Sequence, residues 1–257
     1  MKEAIRYYKK RLVKQRGASL LLVLFGAAFL GAALHLFLLR RASGGWISLL
    51  YLLIFLVLPL AEETLHLRLP ILGYVLIFFL TFGSVLGASY NFYLRIPFWD
   101  SMLHALAGLL FSCIGCALCK LLFPIRLHNG VFPYILAGFI FSLAVALVWE
   151  LFEACITGLL AADMQEDSLL FSFKSFYLSG AHDVPVYVSD IRETVIHYGD
   201  GEILRLSGYL DLGLSDTLGD MAVCLAGSLI LPLLYLPDRL LGGRIFSKLL
   251  PTVIKTE

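Results

Sequence analysis

The 257-residue chain has little charge: 15% of its residues are Asp, Glu, Lys or Arg, against about 25% in an ordinary soluble domain. Sixty per cent are hydrophobic and the mean hydropathy is +0.86, which excludes a water-facing globule. The formal net charge is only +1, so no nucleic-acid partner is expected. Cysteine is sparse too, and no disulfide framework is visible. Cys113, Cys116, Cys119, Cys155 and Cys224 all fall in apolar stretches. The C-x-x-C-x-x-C run spreads around a helix surface with no second Cys or His pair beside it, so packing or lipid contact explains it better than a metal. Period-2 alternation is also missing from the apolar runs. Backbone groups must pair internally in lipid, so these runs are helices rather than barrel strands.

What the chain does have is length in its apolar runs. Six stand out, at about 18–39, 46–64, 71–93, 102–122, 132–155 and 217–236. Each approaches the ~20 residues that cross ~30 Å of hydrocarbon. The first exceeds the roughly 7–15 residue core of a cleavable signal peptide, and no small-x-small cleavage site follows it. It is read as a retained span. The expected fold is all-α: a polytopic membrane helix bundle of six spans with a small extracytoplasmic β-hairpin loop.

Lys and Arg set the expected direction. With the N-terminus inside, fourteen basic residues lie on the cytoplasmic side and six outside. Seven of the fourteen lie between Lys2 and Arg16, and Lys120, Arg126 and Lys255 are also inside. Three of the outer six, Lys174, Arg192 and Arg205, lie in one long loop. The chain is thus expected to comprise a basic cytoplasmic segment (1–17), a transmembrane domain (18–236) with an extracytoplasmic loop (161–215), and a cytoplasmic tail (237–257). A bacterial cytoplasmic membrane is the expected location, with both termini inside and membrane lipids as partners. Within the loop, β-type residues flank Gly199-Asp200-Gly201, the pattern of a β-hairpin.

Acids interrupt the spans. Asp100 and His104 open the fourth, four residues apart. Glu150 and Glu153 sit near the end of the fifth, and Asp216 and Asp220 open the sixth. Each pair shares a helix face. Because the fifth span runs opposite to the other two, all three pairs come to the same depth on the same side, with Asn91 at that level. Asp100 and Asp216 stand where N-caps belong, but capping does not cover His104, Asp220 or the glutamates. Glu62 and Glu63 end the second span on the opposite side and are assigned to the inner interface.

Several carboxylates and one imidazole suit a hard or borderline divalent ion: Mg²⁺, Mn²⁺, Ca²⁺ or Zn²⁺. Asp100, His104, Glu150, Glu153, Asp216 and Asp220 are the expected ligands, with Asn91 and Asp211 as secondary candidates. Three functions fit. One is a metal-dependent hydrolase or transferase acting on a lipid-linked or envelope substrate, with Glu150 or Glu153 as general base. The second is a proton- or cation-coupled transporter. The third is a non-catalytic component whose cluster is structural.

"NFYLRIPFWDSMLHALAG", "LVWELFEACITGLLAADMQ" and "GYLDLGLSDTLGDMAVCLAGSLI" resemble the YjdF-like family of uncharacterised bacterial inner-membrane proteins. The resemblance runs from about Leu58 to Leu231. It picks out Asn91, Trp99-Asp100, His104, Trp149-Glu150, Glu153, Gln165, Asp211, Asp216-Thr217 and Asp220. It implies a multi-pass membrane protein and no particular activity. The family often has an acid where this chain has Ala88, and Asp or Asn where it has Cys224. More distantly, the order Asp-x-x-x-His, Glu, Asp is similar to VanZ-like membrane proteins, which by analogy implies a cell-envelope role.

Overall fold

The computed structural model describes residues 15–123, 130–160, 163–181 and 183–253. The basic residues from Lys2 to Lys14, with Arg126 and Lys255, lie outside the described residues. The chain forms α1 (Arg16–Leu38), α2 (Ala42–Thr64), β1 (Leu67–Arg68), α3 (Ile71–Ser89), α4 (Phe92–Arg95), α5 (Trp99–Leu122) and α6 (Phe132–Leu159). Then come β2 (Ser168–Leu170), β3 (Phe173–Ser175), α7 (Phe176–Ser179), β4 (Val186–Val188), β5 (Thr194–Tyr198), β6 (Glu202–Leu206) and β7 (Tyr209–Asp211). Last are α8 (Leu214–Ser228), α9 (Ile230–Leu240), α10 (Phe246–Leu249) and β8 (Thr252–Val253). Among the described residues, six helical spans are long and apolar enough to cross a membrane: α1, α2, α3, α5, α6 and the α8–α9 pair.

In two spans the backbone turns or breaks where the apolar run goes on. The third stops at Ser89 instead of reaching 93. Asn91 and Phe98 both adopt left-handed backbone, at φ 61° and 62°, and turn the chain on either side of α4. The sixth begins at Leu214 and breaks at Leu229. Pro232 has no N–H to give the Ser228 carbonyl. The Ser112 hydroxyl donates to that carbonyl instead, at 3.4 Å.

The described residues fall into two compact units: those up to Leu147 together with those from Ala222, and Val148–Met221. In the first, α1, α2 and α3 pack through aromatic rings. Phe25 stacks on Phe78 with centroids 3.8 Å apart. The fully buried Phe29 meets Phe78 and Phe82 edge-on, at 5.6 and 5.3 Å. The Ser48 hydroxyl donates to the Phe29 carbonyl at 2.9 Å, satisfying a buried polar group. Glu62, expected at an interface, is buried. Its Oε1 accepts the Leu69 N–H at 2.7 Å and holds the turn after α2. Beside it β1 pairs antiparallel with β8, Leu67 opposite Val253. Asp238 does a similar job, its Oδ1 accepting the N–H groups of Ile245 and Phe246 at 2.9 Å each.

The second unit holds the end of α6, the loop and the start of α8. The hairpin expected around Gly199-Asp200-Gly201 is present: β5 pairs with β6, Tyr198 opposite Glu202. Gly199 and Gly201 supply the positive φ values, 55° and 99°, that the turn requires. Two further ladders, β2 with β7 and β3 with β4, were not evident in the sequence. Their strands have three residues each, too short for a clear alternation.

Candidate metal centre

The start of α5 is fixed by its aromatic residue. The Trp99 indole N–H donates to the Gly83 carbonyl at 3.1 Å, and its ring meets Phe92 edge-on at 5.0 Å. Phe98, not Asp100, is the N-cap. Asp100 therefore lies inside the first turn, where the helix dipole still favours an acid. One turn on, His104 Nε2 stands 3.5 Å from Asp100 Oδ2.

Another turn along α5, Gly108 meets two helices at once. A Cβ there would collide with the carbonyl oxygen of Cys224 on α8. On the other side the Ser142 hydroxyl of α6 donates to the Gly108 carbonyl at 2.9 Å. The pattern repeats: a Cβ on Gly227 would strike the Ala105 carbonyl, and one on Gly138 the Ser112 carbonyl. Such approaches need glycine, and small residues are how membrane helices come close. The signal was present as Gly108-x-x-x-Ser112-x-x-x-Cys116, Gly138-x-x-x-Ser142 and Cys224-x-x-x-Ser228, but spacing alone does not say which strip meets which.

The acids ride on these same helices. His104 is four residues before Gly108, and Asp220 four before Cys224. Glu150 and Glu153 follow Ser142 by eight and eleven residues on one continuous helix, spacings that stay near one face. Ligand atoms of Asp100, His104 and Asp220 all lie within 4.8 Å of one another, and those of His104, Glu150 and Glu153 do likewise. His104 belongs to both groups. α6 continues to Leu159, so the glutamates are not at the negative end of its dipole.

These donors suit a cation. Glu150, Glu153 and Asp220 are all buried, and buried carboxylates need protons, cations or strong hydrogen bonds. Two ionised carboxylates ~5 Å apart repel by about 3 kcal/mol at an effective dielectric of ~20. Four carboxylates with one imidazole match Mg²⁺, Mn²⁺, Ca²⁺ or Zn²⁺ by ligand type.

A family model described as a predicted membrane protein, DUF2238, matches residues 18–237. The chain belongs to that family. The match agrees with the resemblance carried by the Trp-Asp, Trp-Glu and Asp-Thr segments. No curated protein and no solved structure matches the chain.

The remaining expected residues of this DUF2238 chain have other surroundings. Asp216 is the third residue of α8, not its N-cap, and stands in neither group of ligand atoms. Its Oδ2 accepts the Glu166 N–H at 3.0 Å. Asp211 is buried, and its Oδ2 accepts the Ser215 N–H at 2.7 Å. Gln165 donates through Nε2 to the Thr217 hydroxyl at 2.7 Å. Gln165, Asp211, Asp216 and Thr217 thus tie the segment before β2 and the end of β7 to the first turn of α8. Asn91 occupies the left-handed turn between α3 and α4. Of the cysteines, Cys113, Cys116 and Cys224 are buried, Cys119 is half-buried and Cys155 is exposed, which fits packing on one side and lipid contact on the other.

Proposed function

We propose that this protein holds a divalent cation at the outer face of the membrane, with Asp100, His104, Glu150, Glu153 and Asp220 as the donors. The single observation behind this is the convergence of those five ligand atoms, in two groups that share His104. The reaction that fits is hydrolysis or group transfer on a lipid-linked or envelope substrate. The bound ion would supply Lewis acidity toward a phosphoryl or acyl oxygen. Asp100 orients His104 through the Nε2 contact, and either glutamate is placed to take a proton as general base. Asp216, Asp211 and Gln165 act in this scheme as tethers for α8, which carries Asp220.

The test is metal exchange on purified protein. After chelation, adding back one of the four ions should raise the unfolding midpoint, with the metal measured in the protein. Asp220→Asn and Glu150→Gln should each abolish that rise, whereas Asp216→Asn should keep it. Protein that neither retains metal nor gains stability with any of the four ions would overturn the assignment. Bound metal with no turnover of envelope lipids would leave a structural metal. Flux in proteoliposomes that depends on Glu150 would replace the enzyme with a carrier.

A further inference from the structure

The segment Phe171–Ser179, FSFKSFYLS, folds into a rigid projection rather than a loose loop. β3 is held by β4, Phe173 opposite Val188. The turn α7 is capped at its start, where the Ser175 hydroxyl accepts the Leu178 N–H at 3.3 Å. It is closed at its end by Gly180 in the left-handed region, φ 66°. Ser179 locks it further, donating from Oγ to the Phe176 carbonyl at 2.8 Å and accepting the Ala181 N–H at 3.1 Å. What this scaffold presents is apolar. Phe176, Tyr177 and Leu178 are consecutive and 48%, 93% and 54% exposed, and Phe171 is 60% exposed. A fixed run of large exposed apolar residues is unfavourable in water unless something covers it.

The same unit shows what is near. β2 pairs with β7, Leu170 opposite Tyr209, and the Phe173 ring lies 5.0 Å from that of Tyr209. Five residues after Tyr209 the membrane helix α8 begins at Leu214. An extended chain covers that in at most about 17 Å. Leu212 and Leu214, on the way, are also exposed. Exposed apolar residues therefore occur both at the start of α8 and on the projection. Its charge fits an anionic surface: Lys174 is the one charged residue between Ser168 and Gly180. Its ammonium sits 5.8 Å from the Tyr187 ring centroid, so an aromatic ring and a cation are offered together, as at membrane interfaces.

We propose that Phe171–Leu178 dips into the headgroup layer of the leaflet beside α8, with Phe176, Tyr177 and Leu178 in the interface and Lys174 toward lipid phosphate. The loop then has a fixed seat on the bilayer instead of standing free in water. The surface is separate from the candidate metal centre and does not rest on it.

Tyr177→Trp in full-length protein reconstituted into phosphatidylcholine–phosphatidylglycerol vesicles tests this, after subtracting the emission of unsubstituted protein. Tyr198→Trp, beside Asp200 and Glu202 at the hairpin turn, is the comparison. The added emission at 177 should be blue-shifted, quenched by lipid brominated high on its acyl chains, and quenched several-fold less by aqueous iodide than that at 198. Equal iodide quenching at both positions would overturn the proposal. Shielding from iodide without quenching by brominated lipid would also overturn it, in favour of a protein partner or a second copy.

Discussion

Two sets of helices in this protein come together by opposite means. α1, α2 and α3 are held apart by rings: Phe25, Phe29, Phe55 and Phe78 fill the space between them. α5, α6 and α8 also approach backbone to backbone, because Gly108, Gly138 and Gly227 face carbonyl oxygens of a neighbour. Aromatic packing gives area and a stable core. Glycine packing gives short distances between backbones. In the second arrangement, ligand atoms of α5 and α8, and of α5 and α6, come within 4.8 Å in two groups that share His104.

The comparison can be broken from either side. The largest loss should come from the aromatic set. Phe29→Ala should cost about 3–5 kcal/mol of stability, read as unfolding in mixed micelles. The folded protein should still gain stability from metal, and loss of that gain would mean the two sets are coupled. Gly108→Val comes next. Overpacking costs about 1–3 kcal/mol, but here the metal response should vanish, because α8 must move away from His104. A Gly108→Val protein that still responds to metal would show that close approach is not what assembles the donors. Ser142→Ala is the mildest. An interhelical hydrogen bond in a membrane is worth about 0.6 kcal/mol, so stability should fall slightly while the metal response persists. A loss of several times that size would make this hydroxyl part of the centre rather than of the packing.

Much of this was legible because two signals are strong in a membrane chain. Long apolar runs mark spans, and a carboxylate inside one is conspicuous. Asp100, His104, Glu150, Glu153 and Asp220 stood out on those grounds. Other features were hidden for physical reasons. The run "ASYNFYLR" carries Tyr90, Phe92, Tyr93 and Leu94 through its turn, so the span reads on past Ser89 although the backbone reverses hand at Asn91. Asp216 and Asp220 share a helix face, so periodicity treats them alike. The structure separates them: Asp220 is buried beside His104 and Asp100, whereas Asp216 accepts the Glu166 N–H. The glycine contacts were hidden most deeply, since a small residue announces a close approach without naming the partner.

The β1–β8 ladder has a consequence in time rather than in space. Leu67 cannot meet Val253 until α3 through α10 have been synthesised, so β1 waits as an open edge while the later spans enter the membrane. Glu62 stands where it would bridge that interval. Its bond to the Leu69 N–H is local and can form as soon as α2 and the following turn exist. A buried carboxylate at the end of a span would thus act as a placeholder, keeping the turn in shape for a partner strand that arrives last.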